Sequence, residues 1–385
     1  MDYQALKDDI EVLAGRFGNR RGASEEERSA ALYLLDRLKS CSPFAYLDDF
    51  ITMESYFLLF AMYYTEFLIV ALICIWSGSV ATAYGVFVFV MYLIETSGGR
   101  IFSRLMPPLE TQNVVAPFHV EKPERVVIVT VGYDTPIDGV LSRMLRSGYA
   151  HWIHRGLIVC MLLVIGASAS TNNGVFEFST IPWDSMVRWS AVAVLLGAAL
   201  LLYVHTSLGE DVRGANNNAS GVAALLAFAQ QLKDEPLKST DVWLVAVGNS
   251  YGSQDGIRRV LESIPQDKSE TYVLTMQGIG GGKLHYLKGE GILHPQAYKS
   301  KLAALAKSHS ARYNIDPAVY RGLPTLGFCP NLRGYNAVTV MGLSDGSEPV
   351  HAWSCEDRHT EIDTHTIRKA ADFTYGLIEA LDQQG

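Results

Sequence analysis

Residues 214–221 have the composition of a polar site placed at the start of a helix. They read Gly-Ala-Asn-Asn-Asn-Ala-Ser-Gly and run directly into the apolar stretch 222–232. Glycines and small residues let the backbone turn tightly ahead of a helix, and a turn at the edge of a sheet brings its polar side chains into a site. The simpler interpretation is that the asparagines only cap the helix and complete the turn.

This segment resembles the Gly-Ala-Asn-Asp-Asn-Ala-Ser-Gly motif of the di-zinc aminopeptidases of peptidase clan MH. In that family the aspartate bridges two zinc ions, and Asn217 stands in its place here. Two divalent cations about 3.5 to 4 Å apart repel strongly, so their site needs carboxylates to offset the charge. The amide of Asn217 is neutral and is a poor bridging ligand. The resemblance therefore implies an aminopeptidase fold with a weakened metal site.

Four other stretches resemble motifs of the same family and occur in the same order. They are Gly132-Tyr133-Asp134 for its His-Tyr-Asp, Asn249-Ser250 for its Glu-Glu, Thr275-Met276-Gln277-Gly278 for its Asp-Met-x-Gly, and Trp353 with Asp357 for its His-Thr-x-x-Asp. The resemblance implies that all the metal ligands and the general base are replaced, at Gly132, Asn217, Asn249, Ser250, Thr275 and Trp353. An asparagine cannot take a proton from water near neutral pH, and a serine hydroxyl binds metal weakly.

Without histidine and carboxylate ligands the charge of two zinc ions has no compensation, so we expect no metal and no cofactor. The resulting hypothesis is a non-catalytic pseudopeptidase whose former cleft binds a protein or peptide partner, or which acts as a scaffold in a membrane complex. The side chains expected to line the cleft are Asp134, Asn217, Asn249, Ser250, Gln277, His351, Trp353 and Asp357.

A second hypothesis retains hydrolase activity through a rearranged metal site. A shift of two residues in the last motif would put His351, instead of Trp353, at the histidine position. This hypothesis requires several side chains to converge near Asn217, because a metal ion reaches only its immediate neighbours. The side chains concerned are His351, His359, Asp357 and Asp134.

Composition limits the class of protein and of partner. The chain has 385 residues, of which 49% are hydrophobic, and a formal net charge of -8, which argues against a nucleic-acid partner. Its five cysteines are scattered and odd in number, so a disulfide framework is not expected. Residues 1–55 are polar and amphipathic, and we expect no cleavable signal peptide. The sequence gives no indication of an oligomeric state.

Four apolar runs interrupt the chain, at 56–76, 80–94, 153–169 and 189–204. Each is near the length that spans a bilayer, and the pairs predict two membrane hairpins, 56–94 and 153–204. Hairpins leave the rest of the chain on one side of the membrane, and the positive-inside rule predicts that this side, with both termini, is cytoplasmic. The near-side flanks carry Arg100, Arg104, Arg143, Arg146 and Arg155, whereas the far-side loop 170–188 carries Glu177, Asp184 and Arg188.

Glu66 places a carboxylate inside the first apolar run. Such a group is costly in a bilayer and is usually either paired or functional. One interpretation is packing, with a hydrogen bond to Tyr63 or to Tyr84 of another helix. The other is a third functional hypothesis, in which the protein is a component of a transport or lipid-handling complex that uses Glu66.

Outside the apolar runs, strand and helix patterns alternate. The pattern predicts an α/β fold, a three-layer sandwich with a mixed, largely parallel sheet covered on both faces. The peptidase-like domain is then assembled from residues 1–52, 100–146 and 207–385, with the two hairpins inserted between these parts. The strands expected from β-rich runs are 46–52, 113–117, 126–131, 241–247, 272–275 and 337–342.

Overall fold

The computed structural model of the protein describes residues 3–146, 149–173, 182–344 and 348–384. Its strands are β1 Tyr46–Thr52, β2 Leu109–Phe118, β3 Arg125–Gly132, β4 Ile137–Asp138, β5 Glu210–Asp211, β6 Thr240–Val247, β7 Thr271–Gln277, β8 Lys283–Glu290, β9 Gln296–Ala297, β10 Asp316–Tyr320, β11 Asn336–Ser344 and β12 Glu348–Pro349. Its helices are α1 Tyr3–Glu11, α2 Glu25–Lys39, α3 Tyr56–Ile73, α4 Gly78–Thr96, α5 Ser142–Arg146, α6 Ala150–Asn173, α7 Trp183–Leu208, α8 Ser220–Asp234, α9 Asp255–Ser263, α10 Lys301–Ser310, α11 Phe328–Leu332 and α12 Thr364–Asp382.

One mixed sheet organises the part of the chain outside the four long apolar helices. Its strand order is β1-β2-β6-β3-β7-β11-β8-β10. The central strands β6, β3, β7 and β11 are parallel, whereas β1 and β2 join one side antiparallel and β8 pairs antiparallel with β11 on the other. The predicted mixed, largely parallel sheet is confirmed.

Two strands on the β8 side were not expected from the sequence. Lys283, His285 and Lys288 interrupt the apolar pattern of β8, and β10 has only five residues, with Pro317 among them. Proline is tolerated at a sheet edge because the ladder there lacks one partner, and β10 is the edge strand. Both strands therefore depend on the rest of the sheet for their conformation.

Helices cover both faces of the sheet, which gives the three layers. Because side chains alternate along a strand, Val127 and Val129 of β3 point into one core and Ile128 into the other. The first core is closed by α1, α2, α8, α10 and α12. The second contains Ile257 and Leu261 of α9 and Cys329 of α11.

The remaining long helices, α3, α4, α6 and α7, pack into a bundle with an apolar interior of its own. In this bundle α3 contacts α4 and α7, and α6 contacts the same two helices. Each of the four is long and apolar enough to cross a membrane. The pairing into two membrane hairpins stays a prediction.

The second pair of these helices is longer than the apolar runs suggested. α6 begins at Ala150 and α7 begins at Trp183, so residues 183–188 belong to a helix and not to the predicted loop. Arg188 is consequently buried in the bundle, where Nη1 lies 3.2 Å from Cys74 Sγ and 3.3 Å from Thr171 Oγ1. Glu177 lies outside the described residues.

Candidate functional site

Asp134 and Ser250 meet where two neighbouring parallel strands end. Asp134 follows β3 and Ser250 follows β6. The Ser250 hydroxyl donates to Asp134 Oδ1, and the backbone N–H of Tyr251 donates to Oδ2 at 3.0 Å. Both oxygens of this buried carboxylate therefore accept hydrogen bonds from the loop after β6. Burial raises the pKa of Asp134 above its ordinary value, against these hydrogen bonds.

Gly132, at the end of β3, has no space for a side chain. A Cβ at this position would lie 2.2 Å from Ser250 Oγ and 2.5 Å from Asn218 Nδ2. Real Cβ atoms do not approach other heavy atoms so closely, so a histidine could not stand here unless Ser250 and Asn218 moved. The volume in which a ligand histidine would begin is filled by the side chains that surround Asp134.

Asn217 and Asp357 form the second part of the site. Asp357 Oδ1 accepts the backbone N–H of Asn216 at 2.6 Å, and Oδ2 accepts that of Asn217 at 3.0 Å. Burial raises the pKa of Asp357 to about 6. Asn217 Nδ2 donates to the carbonyl of Val350 at 3.2 Å, and its Oδ1 is buried without a hydrogen-bond partner. The asparagines thus fix the turn before α8 to the loop that carries Asp357.

Asn249 turns away from this cluster. Its Nδ2 donates to the Thr52 hydroxyl at 3.1 Å and to the carbonyl of Met53 at 2.8 Å, at the end of β1. Its backbone N–H donates to Glu27 at 2.6 Å. Asn249 therefore joins strands and loops, and its amide does not face Asp134.

Thr275 lies inside the sheet and not in the cluster. The Thr275 hydroxyl lies 2.8 Å from that of Thr130 on the neighbouring strand, and both are fully buried within the sheet. Gln277 is half-buried at the end of β7. The structure therefore leaves Thr275 as a core side chain beside β3.

The loop before α12, which carries His351 and Trp353, covers the site. His351 and Trp353 both have left-handed backbone conformations, with φ of 58° and 52°. The Trp353 ring is buried against Tyr251, with ring centroids 5.9 Å apart. His351 is half-buried, and His359 is exposed on a short 3₁₀ turn. The loop thus brings an indole ring over the cluster, and it leaves His359 in solvent.

Arg20 is a buried cation of the site that sequence reasoning missed. Its guanidinium donates to five backbone carbonyls, those of Leu13, Gly18, Tyr133, Arg213 and Gly214. Burial lowers its pKa to about 10, and the carboxylates of Asp134 and Asp357 act in the opposite direction. A lone arginine in a loop gives no sequence signal for such a role.

Glu27 also contributes from a distance, through the capping box of α2. Ser24 Oγ accepts the N–H of Glu27 at 3.1 Å, but the reciprocal bond runs from the N–H of Ala23, at 2.7 Å, to Glu27 Oε2. Glu27 Oε2 also accepts a hydrogen bond from Thr111 Oγ1 at 2.7 Å. Burial, followed by the charge of Asp134, raises its pKa to about 8.

The residues present do not fit a pair of zinc ions. The carboxylates of Asp134 and Asp357 remain at motif positions, and all four of their oxygens already accept hydrogen bonds from the chain. Zinc sites need three or four histidine, cysteine or carboxylate ligands. Within the described ranges, no three such side chains lie where they could share a metal ion.

The cleft itself is nearly closed. Asp134, Asn249, Tyr251 and Trp353 line a cavity of about 50 Å³ beside the start of α3. Pockets that enclose small-molecule ligands measure roughly 300–1,000 Å³. The cavity at the motif positions is therefore much smaller than such a pocket.

Comparison with solved structures places this geometry in a known fold. A zinc aminopeptidase from Bacillus subtilis aligns with a TM-score of 0.56 over 98% of this chain and 94% of that chain, at 10% identity. The chain has the fold of the zinc aminopeptidases. An aminopeptidase from Aneurinibacillus sp. strain AM-1 aligns with a TM-score of 0.56, over 98% and 93% of the two chains, also at 10% identity.

The same zinc-aminopeptidase fold is found in the glutaminyl cyclase of Porphyromonas gingivalis, with a TM-score of 0.55, 11% identity and 98% coverage of both chains. No protein-family model and no curated protein matches the sequence. Identities this low establish the fold alone. The fold agrees with the resemblance that the ordered motifs gave.

Glu66 is paired in the helix bundle. Its Oε2 accepts a hydrogen bond of 2.6 Å from the Tyr84 hydroxyl of α4. Tyr63, the other candidate, donates to Glu95 at 3.2 Å. Glu95 also accepts the N–H groups of Ile101 and Phe102 at 3.0 and 3.1 Å, and sequence reasoning missed it because it lies one residue beyond the predicted run.

Proposed function

We propose that the protein is a membrane-anchored, non-catalytic domain with the zinc-aminopeptidase fold. It faces the cytoplasm and holds a protein or peptide partner in a membrane complex. The observation that carries this proposal is the filled space at Gly132, where Ser250 and Asn218 occupy the volume that a ligand histidine would need. A site that had only lost its metal would retain a hollow there.

The hydrogen bonds of the remaining carboxylates support the same proposal. Asp134 is held by Ser250 and Tyr251, and Asp357 is held by Asn216 and Asn217. Each carboxylate therefore stabilises a loop, which is a structural role.

Anchoring is supported by the four apolar helices, and the cytoplasmic orientation by the distribution of arginines. The near-side flanks carry Arg100, Arg104, Arg143, Arg146 and Arg155. Arg155 also stacks on Trp152, with the guanidinium carbon 4.9 Å from the ring centroid, as expected of residues at a membrane interface. A partner that binds this domain would therefore be held at the membrane surface.

Zinc content tests the proposal directly. Detergent-purified protein is exposed to zinc, dialysed and measured by elemental mass spectrometry, with Asn217→Ala as the matched variant. We expect less than about a tenth of a zinc ion per chain in both, because fewer than three ligands are available.

One or two zinc ions per chain in the wild type, lost in the variant, would overturn the proposal. That result would favour the hydrolase hypothesis, and peptidase assays would follow. The expected result would turn the search to partners, through pull-down from membranes with the Arg20→Ala variant as a destabilised-site control.

A further inference from the structure

A cavity lies at the junction between the helix bundle and the peptidase-like domain. It consists of two adjoining hollows that share Phe60, Ile292 and Leu323 in their walls. One hollow, of about 50 Å³, lies toward α9 and α11, and the other, of about 100 Å³, lies among α3, α5, α6 and α7. We call the pair the junction cavity. It adjoins the cavity beside Asp134 at Phe57, which lines both, but none of the motif residues lies in its walls.

The hollow toward α9 has polar groups without partners. Gln254 is only 5% exposed, and neither its Oε1 nor its Nε2 has a hydrogen-bond partner. Arg258 Nε is likewise buried and unpartnered, whereas its Nη2 donates to the carbonyl of Gly98 at 3.1 Å. Arg258 forms no ion pair within the described residues. Arg333 adds a second cation, whose nearest carboxylate is that of Glu262 at 3.6 Å. Unsatisfied buried amides and guanidinium groups are costly, which points to an anionic ligand with acceptor oxygens.

Glu95 is the carboxylate in this wall, and its charge offsets part of the positive charge of Arg258 and Arg333. Its Oε2 accepts hydrogen bonds from Tyr63, Ile101 and Phe102. These three donors therefore already form hydrogen bonds with Glu95. Two arginines and a free amide thus remain to face a ligand in the same hollow.

The second hollow is apolar. Phe57 and Tyr64 of α3, Leu157 of α6 and Leu202 of α7 line it, together with Leu141. Its walls are the ends of helices that are apolar enough to cross a membrane. Arg155 Nη2 donates to the carbonyl of Leu293 at 3.4 Å, next to the shared residue Ile292. The polar hollow therefore lies against the domain, and the apolar hollow lies toward the bilayer.

We propose that the junction cavity binds an anionic phospholipid. Its phosphate accepts hydrogen bonds from Gln254 and Arg258 and lies near Arg333, while the first part of one acyl chain fills the apolar hollow. Only these parts of the lipid enter the cavity, and the rest stays in the bilayer. The proposal rests on the membrane anchoring in the proposed function. A bound lipid would fix the domain relative to the bundle.

Native mass spectrometry of the detergent-purified full chain tests this proposal, by titration with phosphatidylglycerol and, separately, phosphatidylcholine. We expect one tightly retained phosphatidylglycerol, with phosphatidylcholine weaker by about 30-fold, the factor that two arginines near an anionic headgroup contribute. The double variant Arg258→Gln/Arg333→Gln should lose this preference. Arg312→Gln, at an exposed arginine far from the cavity, should keep it.

Two further variants separate binding from folding. Gln254→Leu removes the unpartnered amide without a change of size, so it should weaken phosphatidylglycerol binding while the melting temperature of lipid-free protein stays equal or rises. Leu323→Glu places a carboxylate where the hollows meet and should abolish binding. Inorganic phosphate at millimolar concentration should not compete, because it lacks the chain.

Equal binding of the two lipids, or wild-type affinity in both Gln254→Leu and Leu323→Glu, would overturn the proposal. Competition by inorganic phosphate would also overturn it, since the site would then bind a free anion. Alkaline extraction of membranes tests anchoring separately, so that loss of the lipid site and loss of the anchor give different results.

Discussion

At the scale of single residues, three motif positions are occupied by side chains that form hydrogen bonds with neighbouring segments. Ser250 bonds to Asp134, Asn249 bonds to Thr52 and Met53, and Thr275 bonds to Thr130. A site that decays by chance leaves voids and unsatisfied groups. At these three positions the hydrogen bonds connect segments that are distant in the chain, so these side chains contribute to stability.

The packing of Ser250 against Gly132 can be measured directly. Gly132→Ala should lower the free energy of unfolding by about 1–3 kcal/mol, because the new Cβ displaces Ser250 Oγ from Asp134. In a Ser250→Gly background the same substitution should cost at least about 1 kcal/mol less, which a double-mutant cycle by thermal or denaturant unfolding would show.

Gly15→Ala is the matched control for this cycle. Its Cβ would meet nothing within 4 Å, so its effect should be small and independent of Ser250. Additive effects of Gly132→Ala and Ser250→Gly would mean that the space at Gly132 is open in solution. The proposed function would then lose its main support.

At the scale of elements, the hydrogen bond between Tyr84 and Glu66 joins α4 to α3. Tyr84→Phe should lower the stability of the detergent-solubilised protein by about 0.6 to 1.7 kcal/mol, the range for such bonds between membrane helices. Glu66→Gln retains an acceptor oxygen and should lower the stability by less than Tyr84→Phe does. Tyr203→Phe, at a tyrosine that is 57% exposed on α7, serves as the control.

The same pair of variants decides between packing and transport. If Glu66 only packs, both substitutions change thermal stability alone. Loss of a cellular function in Glu66→Gln, with full function in Tyr84→Phe and in cleft variants, would contradict packing and favour the transport or lipid-handling hypothesis.

The sequence predicted elements better than side-chain directions. The alternation of β-rich and helical runs indicated the sheet, and β1 Tyr46–Thr52 has the expected bounds. Periodicity could not show that Asn249 turns toward Thr52, that Arg20 binds carbonyls or that Arg188 lies inside the bundle. Those directions depend on residues distant in the chain, such as the bond between Arg20 and Tyr133.

At the scale of the whole molecule, the orientation across the membrane is a prediction of its own. Reporter fusions at Gly78 and at Asn173 should both report the extracytoplasmic side, because each lies at a far end of a predicted hairpin. A fusion at Gly334, an exposed turn of the soluble domain, should report the cytoplasm. A cytoplasmic signal at Gly78 or Asn173 would contradict the hairpin arrangement.

The pairing of β1 with β2 has a consequence for how the protein is made. These strands pair in register from Tyr46 opposite Val115 to Thr52 opposite Leu109, yet the chain passes through α3 and α4 between them. During synthesis β1 leaves the ribosome first and has no partner until both helices have emerged. If the helices enter the bilayer as proposed, the sheet is completed only after insertion. A chain whose first helices fail to insert then keeps an open strand edge, the kind of exposed surface that chaperones and quality-control proteases recognise.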